Sequence, residues 1–116
     1  MFYIYLTESL DLFRHALRYA LRSEMIRTIR HKGLRRLYED DDSRGVMAEH
    51  VERLRDILIR LDNAESLDDL RLPALKLHAL KGELKGFWAV TVRANWRVTF
   101  RFTDPDAFNV DYVDYH

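Results

Sequence analysis

The sequence contains no cysteine, which excludes disulfide bridges and thiolate metal sites and fits a reducing cytosol. It has no net charge either. Nineteen Lys and Arg offset nineteen Asp and Glu, so bulk positive charge gives no argument for nucleic acid or an anionic membrane. No apolar run approaches the roughly 18 residues that a membrane span requires. The opening MFYIYLTESL lacks both the basic stretch and the small-residue cleavage site of a secretory signal. A cytoplasmic protein with no membrane role is the expectation. No P-loop, G-x-S-x-G elbow, H-E-x-x-H or EF-hand pattern occurs, which removes support from the nucleotide-hydrolase, serine-hydrolase, zinc-protease and calcium-binding classes.

What is present suits one domain: 116 residues with 47% hydrophobic content build a single core of ordinary size, and two halves would each be marginal. After Thr7 or Ser9, apolar residues at Leu10, Phe13, Ala16, Leu17, Ala20 and Leu21 describe an amphipathic helix over the first 24 residues. MIRTIR, from Met25, alternates as a short strand. HKGLRRLYE follows at helical spacing, and DDDSRG is a polar loop. AEHVERLRDILIRLDNA sets Val51, Leu54, Ile57, Leu58 and Leu61 on one stripe. Its Glu49/Arg53 and Asp56/Arg60 pairs sit four apart in the favourable order. SLDDL, with Ser66 as cap, adds a turn before Pro73.

From residue 74 the period changes to two. KLHALKG, GFWAVTV, NWRVTFRF and AFNVDYVDYH read as strands, with Arg93, Ala94 and Asn95 as one hairpin loop and TDPDA as the next turn. Trp96, Val98, Phe100 and Phe102 face a core while Arg97, Thr99 and Arg101 face water. Helices first and an antiparallel meander after them predict an α+β sandwich.

Charge is segregated along this plan. Basic residues dominate from Arg71 to Arg101, against Glu83 alone, while acids gather at Asp40 to Asp42 and along the final strand. Histidine both gives and takes protons near neutral pH, so His78 and His116, on adjoining strands of a cationic sheet, would supply general acid and base. Asp114 shares the His116 face by alternation, and both it and the terminal carboxylate are anions near that imidazole. Two His and one Asp also form a metal-ligand set, but Lys81, Arg93 and Arg97 would repel a divalent cation and attract a phosphodiester. RNA brings its own nucleophile in the 2′-OH, so a base, an acid and a few cations suffice without a metal or other cofactor.

Four blocks, MIRTIRHKGLRRLYE, KLHALKG, GFWAVTVRANWRVTFRF and DYVDYH, resemble in order and spacing the HigB toxins, the killer-protein branch of the RelE and ParE toxin superfamily. The similarity runs from residue 25 to 116. It implies a RelE-like, microbial-ribonuclease-type fold with N-terminal helices packed on an antiparallel sheet. It also implies metal-free cleavage of mRNA in the ribosomal A site and neutralisation by a HigA-like helix-turn-helix antitoxin, through which alone operator DNA would be reached. Carried over by position, it assigns proton transfer to His78 and His116, with Asp114 and Tyr115 assisting. Lys81, Arg93 and Arg97 would grip the phosphate, and Asn95 would orient the hairpin or contact RNA. Either histidine could be the acid. Alternation puts Tyr115 opposite His116, so a catalytic tyrosine there needs the strand end to curl.

The chain departs from that pattern twice. Ala79 stands where the family commonly has proline after the histidine. Residues 1–24 precede the point matching the family's usual start, as a native extension or as translation from an upstream start codon. Two rivals share the fold: a ParE-like gyrase inhibitor that acts by binding, and an inactive antitoxin-binding remnant.

Overall fold

In the structure, a computed structural model that describes residues 25–115, the first helix is α1, Lys32–Asp40. His31 starts it, its Nδ1 accepting the Leu34 N–H at 3.1 Å, a capping role that pattern reading leaves to Ser, Thr, Asp or Asn. The helix ends where Asp41 turns left-handed at φ 53°. Gly33 and the loop residue Gly45 meet backbone to backbone: a Cβ on Gly33 would lie 2.0 Å from the Gly45 carbonyl oxygen. The expected N-terminal helix lies outside the described residues.

The second helix, α2, Val51–Asn63, is entered through a 3₁₀ turn at Ala48–His50. Its buried stripe is Leu54, Ile57, Leu58 and Leu61, while Ile59 on the far side is 61% exposed. The Asp56/Arg60 pair forms at 3.0 Å. Arg53 instead donates to the carbonyls of Ala74 and Thr91, tying α2 to the sheet rather than pairing with Glu49 as its spacing suggests. Ser66 and Asp69 make a capping box on a 3₁₀ turn at Leu67–Leu70.

Four strands follow, β1 His78–Ala79, β2 Trp88–Arg93, β3 Trp96–Thr103 and β4 Asp106–Asp114. They form one antiparallel sheet in the order β1-β2-β3-β4. Arg93 belongs to β2, so the hairpin loop contracts to Ala94 and Asn95, with Ala94 at φ 49°. Only two residues of KLHALKG pair as strand, because Lys76 takes a left-handed φ of 50° and Gly82 one of 68°. Residues 25–30 run parallel to β4 through bridges Ile26/Ala107 and Ile29/Val110. The expected first strand is therefore a parallel border on the antiparallel sheet.

Both helices pack on one sheet face. Leu34, Leu54, Ile57 and Leu61 meet Val90, Val98, Phe100 and Val110 in the core. Among the described residues no helix is long and apolar enough to cross a membrane.

Candidate active site

His78 and Arg97 lie on the sheet face away from the helices, and register shows which residues share it. His78 pairs with Ala89, Ala89 with Thr99, and Thr99 with Asp111, so these four form one cross-strand row. The next row towards the hairpin is Thr91, Arg97 and Val113. Val90, Val98 and Tyr112 lie between them and point to the core, as expected for β3, whereas Thr99, expected to face water, is buried at 6% exposure.

His78 is exposed, and its Nδ1 lies 2.9 Å from the Lys76 carbonyl oxygen. A carbonyl can only accept, so Nδ1 carries the hydrogen and Nε2 of the neutral ring presents a lone pair. The left-handed Lys76 is part of the kink that brings its carbonyl to that ring. Lys81, exposed, caps the short 3₁₀ turn Gly82–Leu84 just beyond β1.

A second group collects at the β2–β3 hairpin. Asn95 is exposed and its carbonyl accepts the Tyr115 N–H at 2.8 Å. Trp96 pairs with both Arg93 and Asp114. A bulge between Thr91 and Arg93 turns Arg93 out of the simple alternation. Arg97 donates through Nη1 to the carbonyls of Ala94 and Trp96, so this guanidinium also holds the hairpin's shape. Asp114 and Tyr115 are exposed at the strand end.

Two expectations change. His78 and the terminal strand were expected on adjoining strands, but β1 and β4 are separated by β2 and β3, about 14 Å at the usual strand spacing. Asp114 stands opposite Trp96, whose ring packs against the core, so alternation sets it on the helix side rather than beside His78. The structure thus gathers Arg93, Asn95, Arg97, Asp114 and Tyr115 near the hairpin and leaves His78 with Lys81 towards the other end of β2. His116 lies outside the described residues. Among the described residues no three His, Cys, Asp or Glu side chains are grouped to hold a metal ion.

A family model described as "RelE-like toxin of type II toxin-antitoxin system HigB" matches residues 27–116. The chain belongs to the HigB-like toxin family. "Endoribonuclease HigB" of Proteus vulgaris is 46% identical over 92 residues, covering 79% of this chain and 100% of that protein. "Toxin HigB-1" of Vibrio cholerae serotype O1 (strain ATCC 39315 / El Tor Inaba N16961) is 34% identical over 88 residues, 73% of this chain and 90% of the relative. The α+β arrangement of helices on an antiparallel sheet is the RelE-like fold, and a type II toxin has an antitoxin partner.

In this HigB-like toxin, sequence reading overlooked the support beneath the hairpin. His50 is 3% exposed, and its Nδ1 lies 2.6 Å from the Tyr112 hydroxyl. Tyr112 packs against Trp96 at 4.5 Å and His31 at 5.1 Å between centroids. Burial, opposed by a hydrogen bond from the Met47 backbone and helped by the Glu49 charge, pushes the Tyr112 phenol above its ordinary range. The only sequence signal was an apolar-plus-histidine run before α2, which reads equally well as a helix start.

Proposed function

We propose that this HigB-like toxin is an endoribonuclease that cuts mRNA in the ribosomal A site without a metal, using the RNA's own 2′-OH as nucleophile. The observation that carries the reading is the wiring of His78. With Nδ1–H fixed on a backbone carbonyl, the exposed Nε2 lone pair is set to take a proton, so His78 acts as the base. The 2′-oxygen then attacks phosphorus as its proton moves to His78. The 5′-oxygen departs with a proton from His116, leaving a 2′,3′-cyclic phosphate and a 5′-hydroxyl. Lys81, Arg93 and Arg97 oppose the charge that builds on the phosphoryl oxygens, Asn95 contacts the RNA, and Asp114 and Tyr115 support the acid.

Because β2 and β3 separate β1 from β4, the strand of RNA crosses the sheet face away from the helices. Tyr115 N–H on the Asn95 carbonyl ties the end of β4 to the hairpin that carries Arg93 and Arg97. The protein's zero formal charge is tolerable because the ribosome supplies most of the docking surface. The neutralising partner is a HigA-like helix-turn-helix antitoxin, operator DNA is contacted only through it, and the setting is the cytoplasm. Residues 1–24 are an appended segment, and 25–116 are the toxin domain.

Primer extension on mRNA from translating ribosomes tests this. Wild type yields new 5′ ends within codons, and His78→Gln and His116→Gln each reduce cleavage about 10²- to 10⁴-fold while antitoxin binding persists. Undiminished cleavage in both variants rules out the assignment. Growth arrest with intact mRNA and blocked gyrase supercoiling would establish the ParE-like alternative instead.

A further inference from the structure

Phe87 sits just before β2, and it is absent from the core cluster to which its neighbour Trp88 contributes. Its ring is half-buried and meets two cations: the guanidinium carbons of Arg30 and Arg101 lie 5.9 and 5.6 Å from its centroid. Among the described residues neither arginine has an ion-pair partner, a state they share with Arg35, Arg36, Arg53, Arg93 and Arg97, but only these two guanidiniums meet at one ring. Two like charges around one ring repel each other, and each gains only about 0.5–1 kcal/mol from the aromatic face when exposed. An anion bound at their side removes that repulsion.

The ring is also held in place. Phe87 N–H donates to the Leu84 carbonyl and its own carbonyl accepts from Leu80 N–H, both at 2.9 Å. Gly86, at φ 97°, makes the turn that delivers it. Lys81 and Lys85 bracket the 3₁₀ turn just before it, Gly82–Leu84. Phe87 lies two residues before Ala89, the register partner of His78, so the two positions are about 8 Å apart at ordinary strand spacings. That is the reach of a neighbouring nucleotide.

We infer that Phe87, Arg30 and Arg101 form a nucleotide subsite that stacks one base of the substrate RNA and holds its phosphate, adjacent to the phosphodiester served by His78. A planar aromatic face with uncompensated guanidiniums is how proteins take single-stranded RNA without reading its sequence. An acidic peptide would use the cations and leave the ring idle, and an apolar ligand would bury the charges unpaired. The identity of the strand as substrate rests on the ribonuclease reading. The stacking chemistry does not.

The test uses a fluorescein-labelled RNA hexanucleotide, with anisotropy measured across a salt series. Phe87→Leu lowers affinity about 5- to 100-fold, and Phe87→Trp preserves it. Arg30→Gln and Arg101→Gln each reduce the slope of log affinity against log salt by about 0.7. On programmed ribosomes Phe87→Leu raises KM with kcat nearly held, and 4-thiouridine in the A-site codon cross-links to the strand holding Phe87. Unchanged affinity and slopes overturn the proposal. So does a cross-link from ribosomal RNA in place of mRNA, or a loss confined to antitoxin binding. Were Phe87→Leu to misfold, the two exposed arginine variants decide alone. Absence of cleavage in every protein would count against the ribonuclease reading, while hexanucleotide binding would still decide the subsite.

Discussion

Single residues in this toxin are set by backbone as much as by side-chain type. Lys76 holds a left-handed conformation that costs an L-residue roughly 1 kcal/mol, and its carbonyl fixes the tautomer of His78. Lys76→Gly should keep cleavage and stabilise the fold by about 0.5 kcal/mol, read by thermal unfolding beside primer extension. Tyr112 offers a pH test. Its phenol is raised above the ordinary value of 10.0 chiefly by burial, so the folded state keeps a proton that the unfolded chain releases. That contribution to stability is complete below about pH 10 and fades as pH rises through the folded value. Tyr112→Phe should cost about 1–3 kcal/mol at pH 7, because buried His50 loses its partner. The deficit should shrink above pH 10, as denaturant titrations at several pH values would reveal. His78 was a candidate in sequence because imidazole is the side chain that exchanges a proton near neutral pH. His50 and Phe87 were not, since a buried histidine and a half-buried ring acquire meaning only from neighbours distant in the chain.

Elements were legible wherever one period ran long enough. The stripe of α2 and the alternation of β3 needed no more than side-chain direction. Short pieces failed. MIRTIR was readable as extended, but a six-residue run does not state its partner, and it pairs parallel with β4. KLHALKG alternates well, yet positive φ at Lys76 and Gly82 limits it to two paired residues. The hydrogen-bonding roles of Arg53 and Arg97 likewise depended on carbonyls brought from other elements. Gly33 and Gly45 looked like ordinary helix and loop glycines, and their contact joins α1 to the loop that follows it. Gly45→Ala places a methyl 2.5 Å from the Gly33 Cα, so it should destabilise by about 1–3 kcal/mol, measurable as a lower denaturant midpoint with unchanged slope.

For the molecule as a whole, strand order decides how much of the site could be foreseen. Alternation gave the core-facing residues of β3, though not the burial of Thr99, and it cannot say that β2 and β3 lie between β1 and β4, which is why the paired histidines were expected side by side. Induction from Met25 in place of Met1 should retain mRNA cleavage and the antitoxin complex, because α1, α2 and the four described strands all lie beyond residue 25. Primer extension and co-purification check it, and loss of either would give the first 24 residues a part in the toxin itself.

The parallel border along β4 has one further outcome. A long strand with unused amide and carbonyl groups invites neighbouring chains to add on, and β4, at nine residues, would be such a template. Residues 25–30 occupy that rim, and the rim on the other side is a two-residue strand, too short to seed a ladder. Concentrated toxin should therefore resist fibril growth, and peeling away those six residues should be what starts it.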